Sequence, residues 1–354
     1  MRRRILALAG MSATAAIAIV AAATSVGDPP VQVRMTRDEA RQQVDVLVDG
    51  KPFTSFIHRP SLRKPVLFPL RTAGGNAVTR GFPLEPRPGE RVDHPHQVGL
   101  WFNYGDVGGF DFWNNSDAIG AADRPKMGTI VHEEMGALRE GEGEGELEAR
   151  MKWVGSDGKA LLAEHARFVF RGGPGWRSVD RIARLRPLAG RVAMPDNKEG
   201  MLGLRVARAL EMPSNQPETF TDAAGRPTSL KVLDNAGVTG RYFTSEGKTG
   251  EAVWGTRARW CALSGRLGDE VVTVAILDHP LNPGFPTYWH ARGYGLFAAN
   301  PLGQNALSGG RETLGFAIEA NDTATFRYRI LILSEAATKE RLEAEYKEFA
   351  SAYR

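Results

Sequence analysis

The chain has 354 residues, of which 42% are apolar and 24% charged. These values are ordinary for a folded protein and exclude disorder, collagen and coiled coil as its main state. Its 40 glycines and 21 prolines are too many for a helical bundle and favour short strands joined by turns. The formal net charge of +4 falls to +1 without the three arginines at positions 2–4. No global charge therefore predicts binding to nucleic acid or to an anionic membrane.

Residues 1–25 have the features of a signal peptide. Three arginines at positions 2–4 precede an apolar run from Ile5 to Ala23, which ends in small residues that suit a signal peptidase. A retained membrane anchor is the alternative, because the run approaches bilayer-spanning length. No later stretch is apolar enough to cross a bilayer. We expect an exported protein, periplasmic or extracellular, that is not stably inserted in a membrane after cleavage.

Period-2 alternation of apolar and polar residues predicts strands along the rest of the chain. Residues 147–154 and 326–332 alternate in this way, and Val271–Leu277 is apolar on both faces, as in a strand between two layers. Turn signals rich in Gly, Asp and Asn separate such runs. The pattern predicts an all-β protein, a large antiparallel β-supersandwich over residues 30–333.

One helix is predicted near residues 336–350. Leu342, Tyr346 and Phe349 fall on one face, and two Glu/Lys pairs four residues apart lie on the other. This helix is expected to pack against the sandwich. No long linker divides residues 30–354, which we interpret as a single domain.

Two segments concentrate the chemistry of the chain, residues 93–113 and 278–295. Residues 98–113 and 285–297 hold 11 of its 30 aromatic residues, and the two neighbourhoods hold four of its seven histidines. Aromatic rings, carboxylates and imidazoles in Pro/Gly-rich segments suit a polar ring-shaped ligand such as a sugar. Core packing is the alternative for several of these aromatics.

Five side chains are candidates for catalysis. Imidazoles near their natural pKa can move protons, and a carboxylate in the loop before a strand can assist them. We expect His94 and His96 to point to one side of an extended chain, because Pro95 favours extension of the residue before it. The candidate catalytic residues are His96, His279, Glu199, His94 and His290.

A second set of side chains is predicted to bind substrate. Its aromatic members would stack on a sugar, and its polar members would bind hydroxyl or carboxylate groups or orient an imidazole. These residues are Asp93, Trp101, Asp106, Trp113, Asp278, Asn282, Tyr288, Trp289, Arg292 and Tyr294. We expect residues 93–113, 198–200 and 278–294 to converge on one pocket that includes His96, His279 and His290.

A metal site is the main chemical alternative. His94 and His96, with a distant histidine or carboxylate, have a spacing compatible with an open Zn, Fe or Cu site, although that spacing is unspecific. The chain lacks H-E-x-x-H, a serine-hydrolase elbow and a phosphate-binding loop, and its single cysteine, Cys261, allows no thiolate cage. The acid/base hypothesis requires no cofactor, and a divalent metal stays open.

At these residues the sequence resembles an uncharacterised bacterial family named "methane oxygenase PmoA". The first matching block is D-H-P-H-x-x-G-L-W-F through D-F-W at Asp93–Trp113, and the second is K-E-G at Lys198–Gly200. The third block runs from Trp260-Cys261 through D-H-P-x-N-P to Asn300-Pro301. The similarity spans roughly residues 40–335, and Gln97 departs from it where many relatives are expected to carry a further histidine.

The resemblance implies a β-supersandwich like that of galactose mutarotases and several polysaccharide lyases, which bind sugars and transfer protons with His and a carboxylate. A methane oxygenase is not expected, because the membrane subunit of that name is a multi-helix integral protein. We therefore expect a carbohydrate-processing protein, an epimerase, lyase or glycoside-cleaving enzyme. A non-catalytic carbohydrate-binding module and a His-ligated metal enzyme are the alternatives.

Overall fold

The computed structural model describes residues 31–353, so the predicted signal peptide lies outside the described residues. Within this range the first ten strands are β1 (Gln32–Asp38), β2 (Gln43–Val48), β3 (Lys51–Ile57), β4 (Val66–Leu67), β5 (Leu100–Tyr104), β6 (Gly128–Arg139), β7 (Gly141–Glu142), β8 (Glu144–Gly155), β9 (Ala160–Gly173) and β10 (Trp176–Pro187). The remaining strands are β11 (Val192–Ala193), β12 (Gly200–Arg205), β13 (Arg241–Thr244), β14 (Trp260–Leu267), β15 (Glu270–Asp278), β16 (Tyr288–Ala291), β17 (Leu296–Asn300), β18 (Ala317–Ile318) and β19 (Ala324–Leu333). The α-helices are α1 (Gln304–Ser308) and α2 (Lys339–Ser351), and short 3-10 helices cover Pro60–Leu62, Arg124–Lys126, Arg208–Leu210 and Gly250–Val253.

Two large antiparallel sheets form a sandwich. The first has nine strands in the order β16-β17-β12-β5-β4-β3-β2-β1-β7, and the second has eight in the order β13-β14-β15-β19-β10-β9-β8-β6. A two-stranded ribbon, β11 with β18, completes the described strands. The predicted all-β sandwich of antiparallel sheets is confirmed.

Alternating apolar side chains of both sheets fill the space between them. On β8 the inward residues Leu147, Ala149, Met151 and Trp153 are each at most 2% exposed. They join one continuous core with inward residues of β5, β12 and β19. The period-2 pattern in the sequence therefore identified the buried face correctly, because successive side chains of a strand point to opposite faces.

Helix α2 covers part of the outer face of the eight-stranded sheet. Its residues Leu342, Tyr346 and Phe349 pack on the outward side chains of β14, β15 and β19. This explains why β15 is apolar on both faces, as the sequence predicted. The helix begins three residues later than predicted, because Thr338 is its N-cap and accepts a hydrogen bond from the backbone N–H of Arg341.

The short helix α1 was not predicted. It has five residues, too few for a repeating apolar stripe to identify it. Within residues 31–353, neither α1 nor α2 is long and apolar enough to cross a membrane.

Among residues 31–353, no helix as long as α2 lies on the outer face of the nine-stranded sheet. Strand pairing aligns Trp101 of β5 with Gly203 of β12, Gly203 with Ala298 of β17, and Ala298 with His290 of β16. Side chains directly opposite each other in a sheet share one face. This row places Trp101 of the predicted segment 93–113 and His290 of the segment 278–294, which are distant in sequence, on one surface.

Candidate functional site

Two buried arginines hold the loop at residues 91–97. Arg80 is 1% exposed and donates to the backbone carbonyls of Arg91, Asp93, His94 and Gln97. Arg205 on β12 is fully buried and donates to Asp93 Oδ1 at 2.6 Å. Burial raises the pKa of Asp93, but the charges of Arg205 and Arg80 and a hydrogen bond with His94 outweigh it and hold that pKa well below its usual range.

The backbone at His94 is not extended, contrary to the prediction. Its φ is +46°, and a turn follows in which the N–H of Gln97 donates to the carbonyl of His94. A positive φ is strained for a residue with a bulky side chain and persists where the surroundings enforce it. The arginine-bound loop supplies that constraint. The rings of His94 and His96 still lie 5.6 Å apart.

His94 is the exposed member of the site. Its side chain is 41% exposed, and its Nδ1 lies 2.5 Å from Asp93 Oδ2. The imidazole stacks on the ring of Tyr294 with centroids 5.1 Å apart and planes within 2°. Arg205 lies 4.8 Å from the same tyrosine ring. Tyr294 therefore links the second predicted segment to the first.

Trp101 and Trp113 form the floor beneath this loop. They are 2% and 0% exposed, and their rings meet edge to face with centroids 5.1 Å apart. A Cβ at Gly203 would lie 2.4 Å from Trp101 Cζ2, so only glycine lets the indole lie on β12. Both rings are buried in this arrangement, so neither offers a face on which a sugar can stack.

Lys64 lies in the same floor, with its amine buried. The residue is 2% exposed, and its Nζ lies 5.9 Å from the centre of the Trp101 ring with no hydrogen-bond partner among the described residues. Burial lowers its pKa from 10.5 to about 7, while the charge of Asp111 acts in the opposite direction. A large fraction of this amine is therefore uncharged at neutral pH.

His96 faces the same buried space. It is 8% exposed, and its Nε2 has no hydrogen-bond partner within residues 31–353. Burial, together with the nearby positive charge of Lys64, holds its pKa far below the ordinary value. His96 is therefore a neutral imidazole across the physiological range.

Glu199 and His290 form a carboxyl–imidazole pair. Glu199 Oε2 lies 3.8 Å from His290 Nδ1, and the glutamate side chain is 17% exposed. Burial raises the pKa of Glu199, and burial with the charges of Arg292 and Lys198 lowers that of His290 to about 4. Burial therefore inverts the usual order of the two pKa values, so a proton shared by this pair resides on Glu199 and leaves His290 neutral.

The structure thus brings one set of polar side chains together, which we call the outer-face cluster. Several of their buried polar atoms have no hydrogen-bond partner among the described residues, namely Lys64 Nζ, His96 Nε2, Trp101 Nε1 and His290 Nδ1. Buried polar groups in native proteins are nearly always paired. The members of the outer-face cluster are Lys64, His94, His96, Trp101, Asp111, Glu199, His290 and Tyr294.

The structure does not bring His279 to this cluster. Its Nε2 donates to the carbonyl of Ala352 at 2.8 Å, its Nδ1 accepts from the N–H of Leu281, and its ring packs on Phe349 of α2. Both ring nitrogens are therefore engaged in holding the end of the helix. His279 therefore has no free ring nitrogen for the predicted proton transfer. Of His96, His279 and His290, which were expected to converge, only His96 and His290 belong to the outer-face cluster.

Asp278 and Asn282 also stabilise that second loop. Asp278 is fully buried and accepts from Asn282 Nδ2 at 2.7 Å and from the N–H of Thr287 at 2.8 Å. Asn282 in turn exchanges two hydrogen bonds with the backbone of Arg327. Burial raises the pKa of Asp278 to about 7. In these positions the two side chains close a loop and do not face a ligand.

The other predicted ligand-binding residues are dispersed. Trp289 lies in the core between the sheets, where its Nε1 donates to the carbonyl of Ala258. Asp106 accepts from the N–H of Gly109 within a turn. Tyr288 is 4% exposed beneath the guanidinium of Arg257. Arg292 is exposed and lies 5.8 Å from the ring of Tyr294, at the edge of the outer-face cluster.

Sequence reasoning missed Lys64, Arg80 and Arg205. Lys64 stands between Arg63 and Pro65, a context that resembles an ordinary solvated basic stretch. The one available signal is that Lys64 stands two residues before Val66 of β4. Val66 pairs with Trp101, so Lys64, Val66 and Trp101 lie on the same face of the sheet. That signal is visible only when the strand pairing is known.

Residues 31–353 contain no group of three or more His, Cys, Asp or Glu side chains arranged to hold a metal ion. The pair His94 and His96, which suggested such a site, lies beside Lys64 and two buried arginines instead. Cationic neighbours do not suit the binding of a further cation.

A sequence model of a family of unknown function, DUF6807, matches residues 43–347. No curated protein matches the chain. Among solved structures the chain aligns with the Slr1438 protein from Synechocystis sp. PCC 6803 at 10% identity and a TM-score of 0.32, covering 86% of this chain and 96% of that one. It aligns with HI1317 at 10% identity and a TM-score of 0.31, covering 84% and 99%. Neither the PmoA name nor a mutarotase is found among these matches, so that part of the resemblance stays a prediction.

Proposed function

This chain belongs to the DUF6807 family of unknown function, and we propose that it is an exported enzyme that performs acid/base chemistry on a sugar ring at the outer-face cluster. The observation that carries the proposal is the set of unpartnered buried polar atoms on one sheet face beside the Glu199–His290 pair. Unsatisfied buried polar groups call for an explanation in a native protein, and a catalytic or ligand-binding role is one such explanation.

Near neutral pH the cluster places unprotonated imidazoles beside a carboxyl group with a raised pKa. His290 and His96 are neutral imidazoles with a free lone pair, and their lowered pKa values make each a weaker base than an ordinary histidine. Burial raises the pKa of Glu199, so at a given pH more of it carries the proton that a general acid needs than an ordinary glutamate does. In an epimerase or lyase step, His290 would take a proton from a ring carbon while Glu199 protonates the oxygen that gains the electron pair.

The partly exposed residues around this pair suit a polar ring. Glu199, His94 and Arg292 are at least partly exposed, and His94 with its stacked partner Tyr294 offers an imidazole and a phenol side by side. Arg292 can bind a hydroxyl or carboxylate group. These features favour a sugar over an apolar ligand, which would need an exposed apolar surface.

The experiment screens the mature protein against mono- and oligosaccharides, with turnover followed by NMR of the sugar and binding by calorimetry. The expected result is turnover that falls by about 100-fold or more in Glu199→Gln and His290→Asn, the scale of losing one acid/base group. The matched controls are Glu319→Gln and His132→Asn. Glu319 forms an exposed ion pair with Arg191, and the ring of His132 packs on that of His58. Both controls are expected to keep wild-type turnover.

Two results would overturn the proposal. Sugar binding without turnover in wild type, unchanged in Glu199→Gln and His290→Asn, would identify a carbohydrate-binding module. A stoichiometric transition metal in the purified protein, with turnover lost on its removal, would identify a metal enzyme.

A further inference from the structure

A second concave surface lies on the outer face of the eight-stranded sheet. Helix α2 covers that face over β14, β15 and β19, and the part over β8, β9 and β10 is left open. The open part is a groove of about 430 Å³, within the range of small-molecule sites of roughly 300–1,000 Å³. Its lining shares no residue with the outer-face cluster on the other sheet.

Positive charge exceeds negative charge in this groove. Four arginines line it, against two glutamates. Glu146 binds two of the arginines, since it accepts from Arg167 Nε at 2.6 Å and also pairs with Arg139. The second glutamate, Glu148, lies 3.7 Å from Arg139 and 3.4 Å from His165. Both carboxylates therefore already have partners within the groove.

Arg184 and Arg327 have no carboxylate within 4.0 Å among the described residues. They lie on adjacent strands, because Ile182 of β10 pairs with Arg327 and Arg184 pairs with Thr325 of β19. Arg327 Nε is buried without a hydrogen-bond partner in the described part of the chain. Burial lowers the pKa of Arg327, and the neighbouring charge of Arg184 lowers it further.

Two like charges side by side on one sheet face repel each other, and a buried guanidinium N–H without an acceptor adds a desolvation cost. A bound oxyanion would remove both costs at once. The planar guanidinium presents paired N–H donors that match two oxygens of a carboxylate, sulfate or phosphate group. We propose that this groove binds a small molecule through such an oxyanion group, with Arg184 and Arg327 as the residues that contact it.

The test uses calorimetry on the mature protein at low ionic strength with inorganic phosphate, sulfate and glucuronate as probes and glucose as the neutral control. The expected result is binding of at least one oxyanion with one-to-one stoichiometry, weakened by added NaCl, and a response to glucose that is the same in wild type, Arg184→Gln and Arg327→Gln. Arg184→Gln and Arg327→Gln are each expected to weaken that binding by about tenfold or more. The tightest of the three probes indicates whether the natural ligand carries a carboxylate or a tetrahedral anion.

Arg150→Gln is the matched control, because Arg150 lies on β8 of the same sheet, is exposed and pairs with Glu134. It is expected to bind the anion as wild type does. Arg184 is exposed, so Arg184→Gln is expected to fold normally, which thermal unfolding checks. Absence of oxyanion binding in wild type, or binding that is equal in wild type, Arg184→Gln and Arg327→Gln, overturns the proposal. Glu199→Gln and His290→Asn are expected to retain anion binding. A negative result for the proposed enzymatic function therefore does not decide whether this groove binds an oxyanion.

Discussion

The tripeptide Asp-His-Pro occurs twice in the chain, at residues 93–95 and 278–280, and the two copies have opposite surroundings. In the first copy the aspartate is ion-paired to Arg80 and Arg205 and the histidine is 41% exposed. In the second copy the aspartate accepts only neutral donors and the histidine is fully buried under α2. The same residue types therefore form a partly exposed loop in one place and a buried helix contact in the other, and the covering element decides which.

The largest expected effect is that of Asp93→Ala on stability. The substitution leaves the buried guanidinium groups of Arg80 and Arg205 without their carboxylate, and removing one partner of a buried ion pair costs roughly 3–5 kcal/mol. Urea unfolding followed by circular dichroism measures this loss. A loss below about 1 kcal/mol would show that the loop at residues 91–97 does not depend on this ion network.

The two aspartates are expected to give stability opposite dependences on pH. Asp278 has a pKa raised to about 7, so the stability it contributes is complete below its unfolded pKa and is lost as pH rises toward 7. Asp93 has a lowered pKa, so its contribution is present above the unfolded pKa and is lost in acid. The free energy of unfolding of Asp278→Asn, measured by urea at a series of pH values, should lack the decline toward pH 7. An unchanged decline would mean that Asp278 does not titrate in this range.

Equivalent substitutions of the two histidines are expected to differ. His279→Ala removes a hydrogen bond to Ala352 and a ring contact with Phe349, which should cost about 1–2 kcal/mol and increase hydrogen exchange in α2. His94→Ala removes an exposed side chain and should cost less than about 0.5 kcal/mol. Equal losses in the two variants would contradict the assignment of His279 to the helix contact.

One substitution in the cluster is expected to increase stability. Lys64→Met replaces a buried, unpartnered amine with an apolar side chain of similar length, which should stabilise the protein by about 1 kcal/mol below pH 7. The folded pKa of Lys64 is lowered to about 7, so the unfolded chain binds more protons above that pH and wild-type stability rises with pH there. The advantage of Lys64→Met should therefore shrink as pH increases. Thermal unfolding at several pH values checks this, and a variant less stable than wild type at every pH would refute it.

Much of the sandwich could be predicted because strand alternation is local. The pattern of residues 147–154 and the two-sided apolar run at 271–277 each identify a buried face without knowledge of the partner strand. The site was only partly predictable. The engagement of His279 depends on Ala352, 73 residues away, and the unpaired amine of Lys64 depends on which strand lies beside it. Such long-range contacts leave no periodic signal in the sequence.

The packing of Trp101 on Gly203 also gives the protein an intrinsic optical probe. Two indoles with centroids 5.1 Å apart and planes inclined by 61° couple their electronic transitions, which produces a paired band in the circular dichroism spectrum. Lys64 lies 5.9 Å from one of these rings, so the ionisation of its amine changes the electric field at the chromophore. Protonation at the floor of the cluster can therefore be followed by tryptophan emission without any attached label, and Gly203→Ala, which displaces the indole, should abolish that response.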